Sequence, residues 1–400
     1  MHANPGPAAV QSDPGGARWL TVGSSAAKDS WSAGVAATRA ALGDGAAKLL
    51  VVFCSALHDP EAVLAGIRLI APGVPLIGSS SAAVISSGEV GEGVVVVALG
   101  GPGFSIATGL GLNAEGRQRA VGAEVAGCSA QVPGHLNRVM IMITDGLVSG
   151  QEEILAGAYS VVGASVPLVG GTSSPNPAVP GTFQLFDDQV ISGAAVGAII
   201  ASDGPIGVGV RHGWRKVGEP MIVTKSHLGD VYTLDDRPAV QAYLQRLGAP
   251  DAAYVEHDAF EKFAERRPIG LRRRSGEVVR NVGSAKHLAR GWLHSSGDVP
   301  EGGLVWPMEG DEASVLTAAG DACRDAAAAL GGRTPLGLMV FDCETRSRFL
   351  GVDGRRREVA LMTRRAGEVP LAGLYTWGEI ARTSGINGFH NQTLVVLAVG

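Results

Sequence analysis

The chain has 400 residues, 46% of them hydrophobic and 18% charged, with a formal net charge of −5. That composition excludes a disordered chain, the acidic balance gives no basic footprint for nucleic acid, and the length favours two domains over one core. Gly, at 58 residues, argues for tight turns and close backbone approaches rather than long helices.

In chain order, residues 1–17 are rich in Pro and Gly, lack the apolar run of a secretory leader, and read as a flexible tail. The run LLVVFCSA from Leu49 reads as a buried strand. Asp59, Pro60 and Glu61 supply an N-cap, a first-turn proline and a dipole-favouring acid for a following helix. That helix passes through Leu64-Ala65-Gly66 and leads to Val74-Pro75-Leu76-Ile77-Gly78, a Gly/Ser turn, and the apolar run GVVVVALG from Gly93. The pattern then returns. VMIMITDG from Val139 is followed by a capping box at Ser149 and Glu152, a helix through Leu155-Ala156-Gly157, Val166-Pro167-Leu168-Val169-Gly170, a Gly/Thr/Ser turn, and GAAVGAII from Gly193. From about residue 204 to 330 no repeat is visible. Strand-like alternation is expected there, with one helix from about Pro238 to Leu247 and another over Glu312 to Leu330. Arg272-Arg273-Arg274, followed at once by Ser275-Gly276, reads as a solvated strand end beside a turn. A third copy closes the chain: LGLMVFDC from Leu336, Val369-Pro370-Leu371-Ala372-Gly373, and TLVVLAVG from Thr393.

A strand, helix, strand, turn, strand unit that recurs predicts an α/β chain with mixed sheets covered by helices, in two domains. No stretch of about 18 apolar residues is free of Gly and charge, so no membrane span is expected. Cys54, Cys128, Cys323 and Cys343 are far apart and show no metal spacing, which makes a reducing cytoplasm the expected location.

Three pieces carry a resemblance. They are GWRKVGEPMIVTKSHLGDVYTLDDRPAVQAYLQRLG, the Cys343-x-x-Arg346 after an apolar strand, and the ending with Tyr375-Thr376-Trp377-Gly378-Glu379-Ile380 and His390-Asn391-Gln392-Thr393. From about Arg18 to the last residue the chain resembles the FIST family. The resemblance implies a FIST N-terminal domain over 18–235, with two copies, and a FIST C-terminal domain over 236–400, with the third. It implies a sensory protein that binds a small ligand, an amino acid or related metabolite. Output would pass through a separate histidine kinase or cyclase, since neither region is attached. A subset of the family is similar to haem-bound nitric-oxide sensors, so haem is an alternative cofactor. The C-terminal domain also occurs in a eukaryotic F-box protein.

Candidate ligand-binding residues fall in four groups. Gly78-Ser79-Ser80-Ser81 and Gly170-Gly171-Thr172-Ser173 combine exposed N–H groups with hydroxyls, a set suited to a carboxylate or phosphate. Tyr375, Trp377, Glu379, His390, Asn391 and Thr393 offer an aromatic platform, an acid and hydrogen-bonding side chains. Cys343 with Arg346 suggests a thiolate stabilised by a cation, or a cation for a ligand carboxylate. Asp145 ends an apolar strand, where α/β sites gather. The first three groups have a plain structural reading as well: turn, hairpin and buried thiol. No nucleotide or hydrolase motif is present, no general base is fixed, and an enzyme with Cys343 as nucleophile ranks last. Eight histidines among the nine (His58, His135, His212, His227, His257, His287, His294, His390) could ligate a haem, and no sequence feature selects one.

Overall fold

A computed structural model describes residues 17–43, 45–132, 134, 136–273, 276–367, 369–383 and 388–400. The tail expected over 1–17 lies outside the described residues except for Ala17, as do Arg274, Ser275 and His135.

The chain folds as three like units. The first is β1 (Trp19–Ser25), α1 (Ser30–Leu42), β2 (Ala47–Ser55), α2 (Pro60–Ile70), β3 (Leu76–Ser81), a hairpin of β4 (Val84–Ser86) and β5 (Glu89–Gly91), and β6 (Val94–Gly100). The second is β7 (Phe104–Gly111), α3 (Gln118–Ala126), β8 (Asn137–Thr144), α4 (Gln151–Val162), β9 (Leu168–Thr172), a hairpin of β10 (Gln184–Phe186) and β11 (Gln189–Ile191), and β12 (Ala195–Ser202). The third opens with β13 (Ile206–Arg211) and is interrupted by an insert. The insert carries β14 (Arg215–Lys216), β15 (Met221–His227), β16 (Asp230–Leu234), β17 (Arg237–Pro238), α5 (Ala239–Arg246), α6 (His257–Ala264), β18 (Ile269–Arg273), β19 (Gly276–Arg280), β20 (Leu293–His294) and β21 (Leu304–Glu309). The third unit resumes with α7 (Glu312–Ala328), β22 (Gly337–Cys343), α8 (Glu344–Ala366), β23 (Leu371–Thr376), a hairpin of β24 (Glu379–Arg382) and β25 (Phe389–His390), and β26 (Leu394–Val399).

Each unit builds one mixed sheet and lends its hairpin to another. The orders are β1-β6-β2-β3-β10-β11, β7-β12-β8-β9-β24-β25 and β13-β26-β22-β23-β4-β5. The three exchanges close a cycle. Alternation along β2 explains its run of apolar positions on both faces: Leu49, Val51 and Phe53 join Ile141, Ile143, Met339 and Phe341 in one shared core, while Leu50, Val52 and Cys54 pack under α1 and α2. The recurring Val-Pro-Leu has a common task. The carbonyls of Pro75, Pro167 and Pro370 accept from Leu50, Met140 and Leu338, which sets the parallel register of the strands that follow.

Asp59 caps α2 as expected, accepting from Glu61 N at 3.0 Å. The capping box expected at Ser149 and Glu152 does not form. Gly150, at φ 67°, is the N-cap of α4 and offers no side chain. Ser149 bonds Glu115, and Glu152 is drawn to Asp298 N and Arg280 of the insert. A tertiary pair of charges outcompetes the local cap. The non-repeating stretch also holds more than expected: β13 and α7, at its two ends, belong to the third unit.

Candidate functional site

The Gly/Ser stretches read as turns are strand. Gly78 to Ser81 lie in β3, between β2 and the exchanged β10, and Gly170 to Thr172 lie in β9. Their N–H groups are spent on neighbours: Ser80 N donates to the Phe183 carbonyl, Ser173 N to Thr144 and Ser174 N to Ser80. The hydroxyls knit the units together where the sheets meet. Ser79 Oγ donates to Ser173 Oγ at 2.9 Å, and Ser81 and Ser174 both donate to the Tyr375 carbonyl at 2.8 Å. Small residues are required here. A Cβ on Gly78 would lie 2.7 Å from the Val52 carbonyl, and one on Gly170 1.9 Å from that of Met142.

Asp145 is a strut. Its carboxylate accepts from Thr182 Oγ1 at 2.6 Å, Leu147 N at 2.9 Å and Gly193 N at 2.7 Å. Arg346 does not face Cys343. It is fully buried and binds Asp342 at 2.9 Å and Glu358 at 2.6 Å, with further bonds to the His212 and Val315 carbonyls. Burial, with Glu379 adding to it, pushes the Cys343 thiol well up, and its sulfur accepts from Gln392 N at 3.2 Å. A stabilised thiolate is therefore replaced by an enclosed thiol, because the nearby cation is claimed by two carboxyls.

The aromatic and acidic group of the third unit divides. Tyr375 lies in the core under α7 and α8. Glu379 is buried, accepting from Thr376 Oγ1 at 2.9 Å and Thr393 N at 3.1 Å, and burial raises its carboxyl well above the usual range. His390 and Thr393 border a cavity of about 630 Å³ with His212, Arg211, Glu277 and Asp321. Trp377, 40% exposed, bonds Glu344 through its indole N–H and borders a different cavity, of about 320 Å³.

That smaller cavity lies beyond the carboxyl ends of β8, β9, β22 and β23, where ligands gather in α/β sheets. The second unit gives it Gly146, Gln151 and Thr172. The third gives Thr345, Arg348, Trp377 and Phe389. The insert gives Asn281, Ser284, His294 and Ser296. Thr172 is 1% exposed, yet its Oγ1 has no protein partner. Gly146 keeps space beside that hydroxyl, since a Cβ there would stand 3.2 Å from Thr172 Oγ1 and 2.2 Å from the Ser173 carbonyl. Asn391 reaches the same wall through Ser296 at 2.9 Å, and Gln392 through Asn281 at 3.3 Å. Asn391 Oδ1 and Gln392 Oε1 are likewise buried without a protein partner. An unpaired buried polar atom is costly, so the Thr172 hydroxyl on the wall of this cavity is a chemical signal.

Two family models match in succession. A FIST N domain covers residues 48–237 and a FIST C domain covers residues 239–382. The chain belongs to the FIST family. FIST domains are generally associated with small-ligand binding in sensory signalling. No curated protein matches the sequence. Among solved structures the chain is similar to a cyanuric acid hydrolase from A. caulinodans, at 12% identity and a TM-score of 0.28, over 46% of this chain and 71% of that one.

A haem, the alternative cofactor, would meet a polar lining in the larger cavity. Its walls carry Arg211, Glu277 and Asp321, and Val210 is the largest aliphatic lining side chain. His212 Nδ1 accepts from Trp214 N at 3.0 Å while Nε2 faces Glu277, and His390 Nε2 is held by the Ala381 carbonyl at 3.1 Å. Nδ1 of His390 stays available, so the polar walls and not the imidazoles make the misfit. Sequence reasoning overlooked Asn281, Ser284, Ser296, Thr345 and Arg348. Only the small polar run from His294 to Gly297, and an arginine two residues beyond Arg346, hinted at them.

Proposed function

We propose that this FIST protein is a small-ligand-binding sensor whose ligand occupies the cavity of about 320 Å³ between the second unit, the third unit and the insert. The unpartnered, buried Thr172 hydroxyl carries this reading. The volume is at the low end of ligand cavities, which suits a molecule of amino-acid size. Arg348, largely exposed at the rim and 3.5 Å from Glu265, supplies a cation that a ligand carboxylate would share, the Trp377 ring an apolar face, and Thr172 and Thr345 hydroxyls for the remaining polar groups. An amino acid or a related small carboxylate meets all three demands.

A non-catalytic role agrees with a sensory family. The enclosed thiol of Cys343 supports no nucleophilic step. Among the described residues no helix is long and apolar enough to cross a membrane. A cytoplasmic protein reporting to a separate histidine kinase or cyclase fits this reading. The test is a thermal-shift panel of amino acids and small carboxylates. One chemical class should raise the melting temperature in a saturable way. Flat melting curves across the panel would count decisively against the reading.

A further inference from the structure

We propose that Asp230, His287 and His294 form a binding site for one divalent transition-metal ion, of the zinc or ferrous class. Their donor atoms all lie within 4.8 Å of one another. Asp230 and His294 face each other in the antiparallel pair of β16 and β20. His287 lies in the short 3-10 turn of Ala285–Arg290 that leads into β20. Asp230 Oδ1 is 2.5 Å from His294 Nδ1 and 3.6 Å from His287 Nε2. One hydrogen bond explains the first distance. The second is too long for a hydrogen bond, yet it brings a second imidazole nitrogen toward the same carboxylate oxygen.

Ligand geometry accounts for that convergence. Nitrogen and oxygen donors on a tetrahedral zinc ion sit about 2.1 Å from the metal, hence about 3.4 Å from each other. The His287 spacing matches as it stands. The His294 spacing would widen by roughly 1 Å as a metal replaces the shared proton. Two imidazoles and one carboxylate are a donor set for zinc or non-haem iron, and three protein ligands leave a coordination position open. The Trp292 ring meets His287 edge-on at 5.5 Å between centroids and limits the freedom of that imidazole. All three side chains are 13–30% exposed, which leaves a path for the ion. His294 also borders the cavity at Thr172, so an open position could face a bound ligand. The metal site rests on the three side chains alone and not on what fills that cavity.

The test uses the full chain, stripped with EDTA and titrated with Zn²⁺ against a chromophoric chelator, and separately with Co²⁺ followed by its visible ligand-field bands. One ion per chain should bind, with the intense bands of a four- or five-coordinate centre, and should raise the melting temperature. Asp230→Asn, His287→Gln and His294→Gln should each weaken binding by at least about a hundredfold, beyond the loss that second-shell changes cause. His257→Gln, outside the cluster, should bind like the parent chain. Weaker than micromolar binding by the parent chain would overturn the proposal. So would tight binding that survives all three substitutions in variants whose circular dichroism matches the parent. Metal binding is read without any small ligand present, so its failure and that of the cavity reading are separate results.

Discussion

At the scale of single residues, the centre of the third unit is governed by enclosed charge. Asp342 and Glu358 bracket Arg346, and burial pushes both carboxyls up. One guanidinium faces two carboxyls, so their negative charge is only partly balanced and burial favours the protonated form. Cys343 adjoins this cluster and shares its dryness. Native protein treated with iodoacetamide should leave Cys343 unlabelled under conditions that label it fully after unfolding; native labelling would contradict the enclosed thiol. His390 gives a pH-dependent test. Burial, with Arg280 adding to it, pushes the imidazole from 6.5 down to about 4. Between those values the unfolded chain binds the proton and the native state does not, so stability falls as pH drops from 6.5 toward 4. His390→Asn removes that term. Its stability deficit against the parent chain should shrink by on the order of 1–2 kcal/mol across the window, allowing for partial solvent screening. Urea unfolding at pH 7 and pH 4.5 measures it, and a constant deficit would contradict the depressed imidazole.

At the scale of elements, glycines set how closely the covering helices cross. A Cβ on Gly122 of α3 would stand 1.8 Å from the Ile154 carbonyl, and one on Gly157 of α4 1.9 Å from that of Arg119. Gly34 and Gly66 play the same part between α1 and α2, at 2.3 Å each. The third unit relaxes the rule: a Cβ on Gly320 of α7 would meet α8 only at 3.5 Å, near Leu361 and Arg365 side chains. Gly157→Ala should therefore cost about 1–3 kcal/mol through overpacking, while Gly320→Ala should be neutral or gain up to about 1 kcal/mol from helix propensity. Denaturation midpoints of the two variants decide this, and equal effects would contradict the crossing geometry. The Leu-Ala-Gly at the same place in the first two copies was visible in the sequence. Its reason was not, because the partner carbonyl lies on another helix.

At the scale of the whole molecule, three units lock by passing hairpins around a cycle, and the insert closes over the place where the second and third meet. The repeat, the buried strands, α2, α5 and α7 were legible, since apolar period and caps are local properties. The hairpin exchange was not, because alternation names a face and never a partner. Gly78 to Ser81 and Gly170 to Ser174 misled for a related reason. Gly and Ser favour turns when the chain is free, but here two flanking strands impose extension and the small side chains leave room for the crossing sheets. Thr172 and Trp377 were named from sequence. Their companions in the insert, Asn281, Ser284 and Ser296, could be placed only by the tertiary fold. Ligand binding in the cavity these residues enclose is tested most directly by Thr172→Val. The exchange keeps shape and removes a hydroxyl that has no protein partner. Calorimetric titration with the small carboxylate that shifts the parent's melting temperature should show affinity lowered by about tenfold to a hundredfold, with the unliganded melting temperature unchanged or raised. Equal affinity in parent and variant would contradict the account.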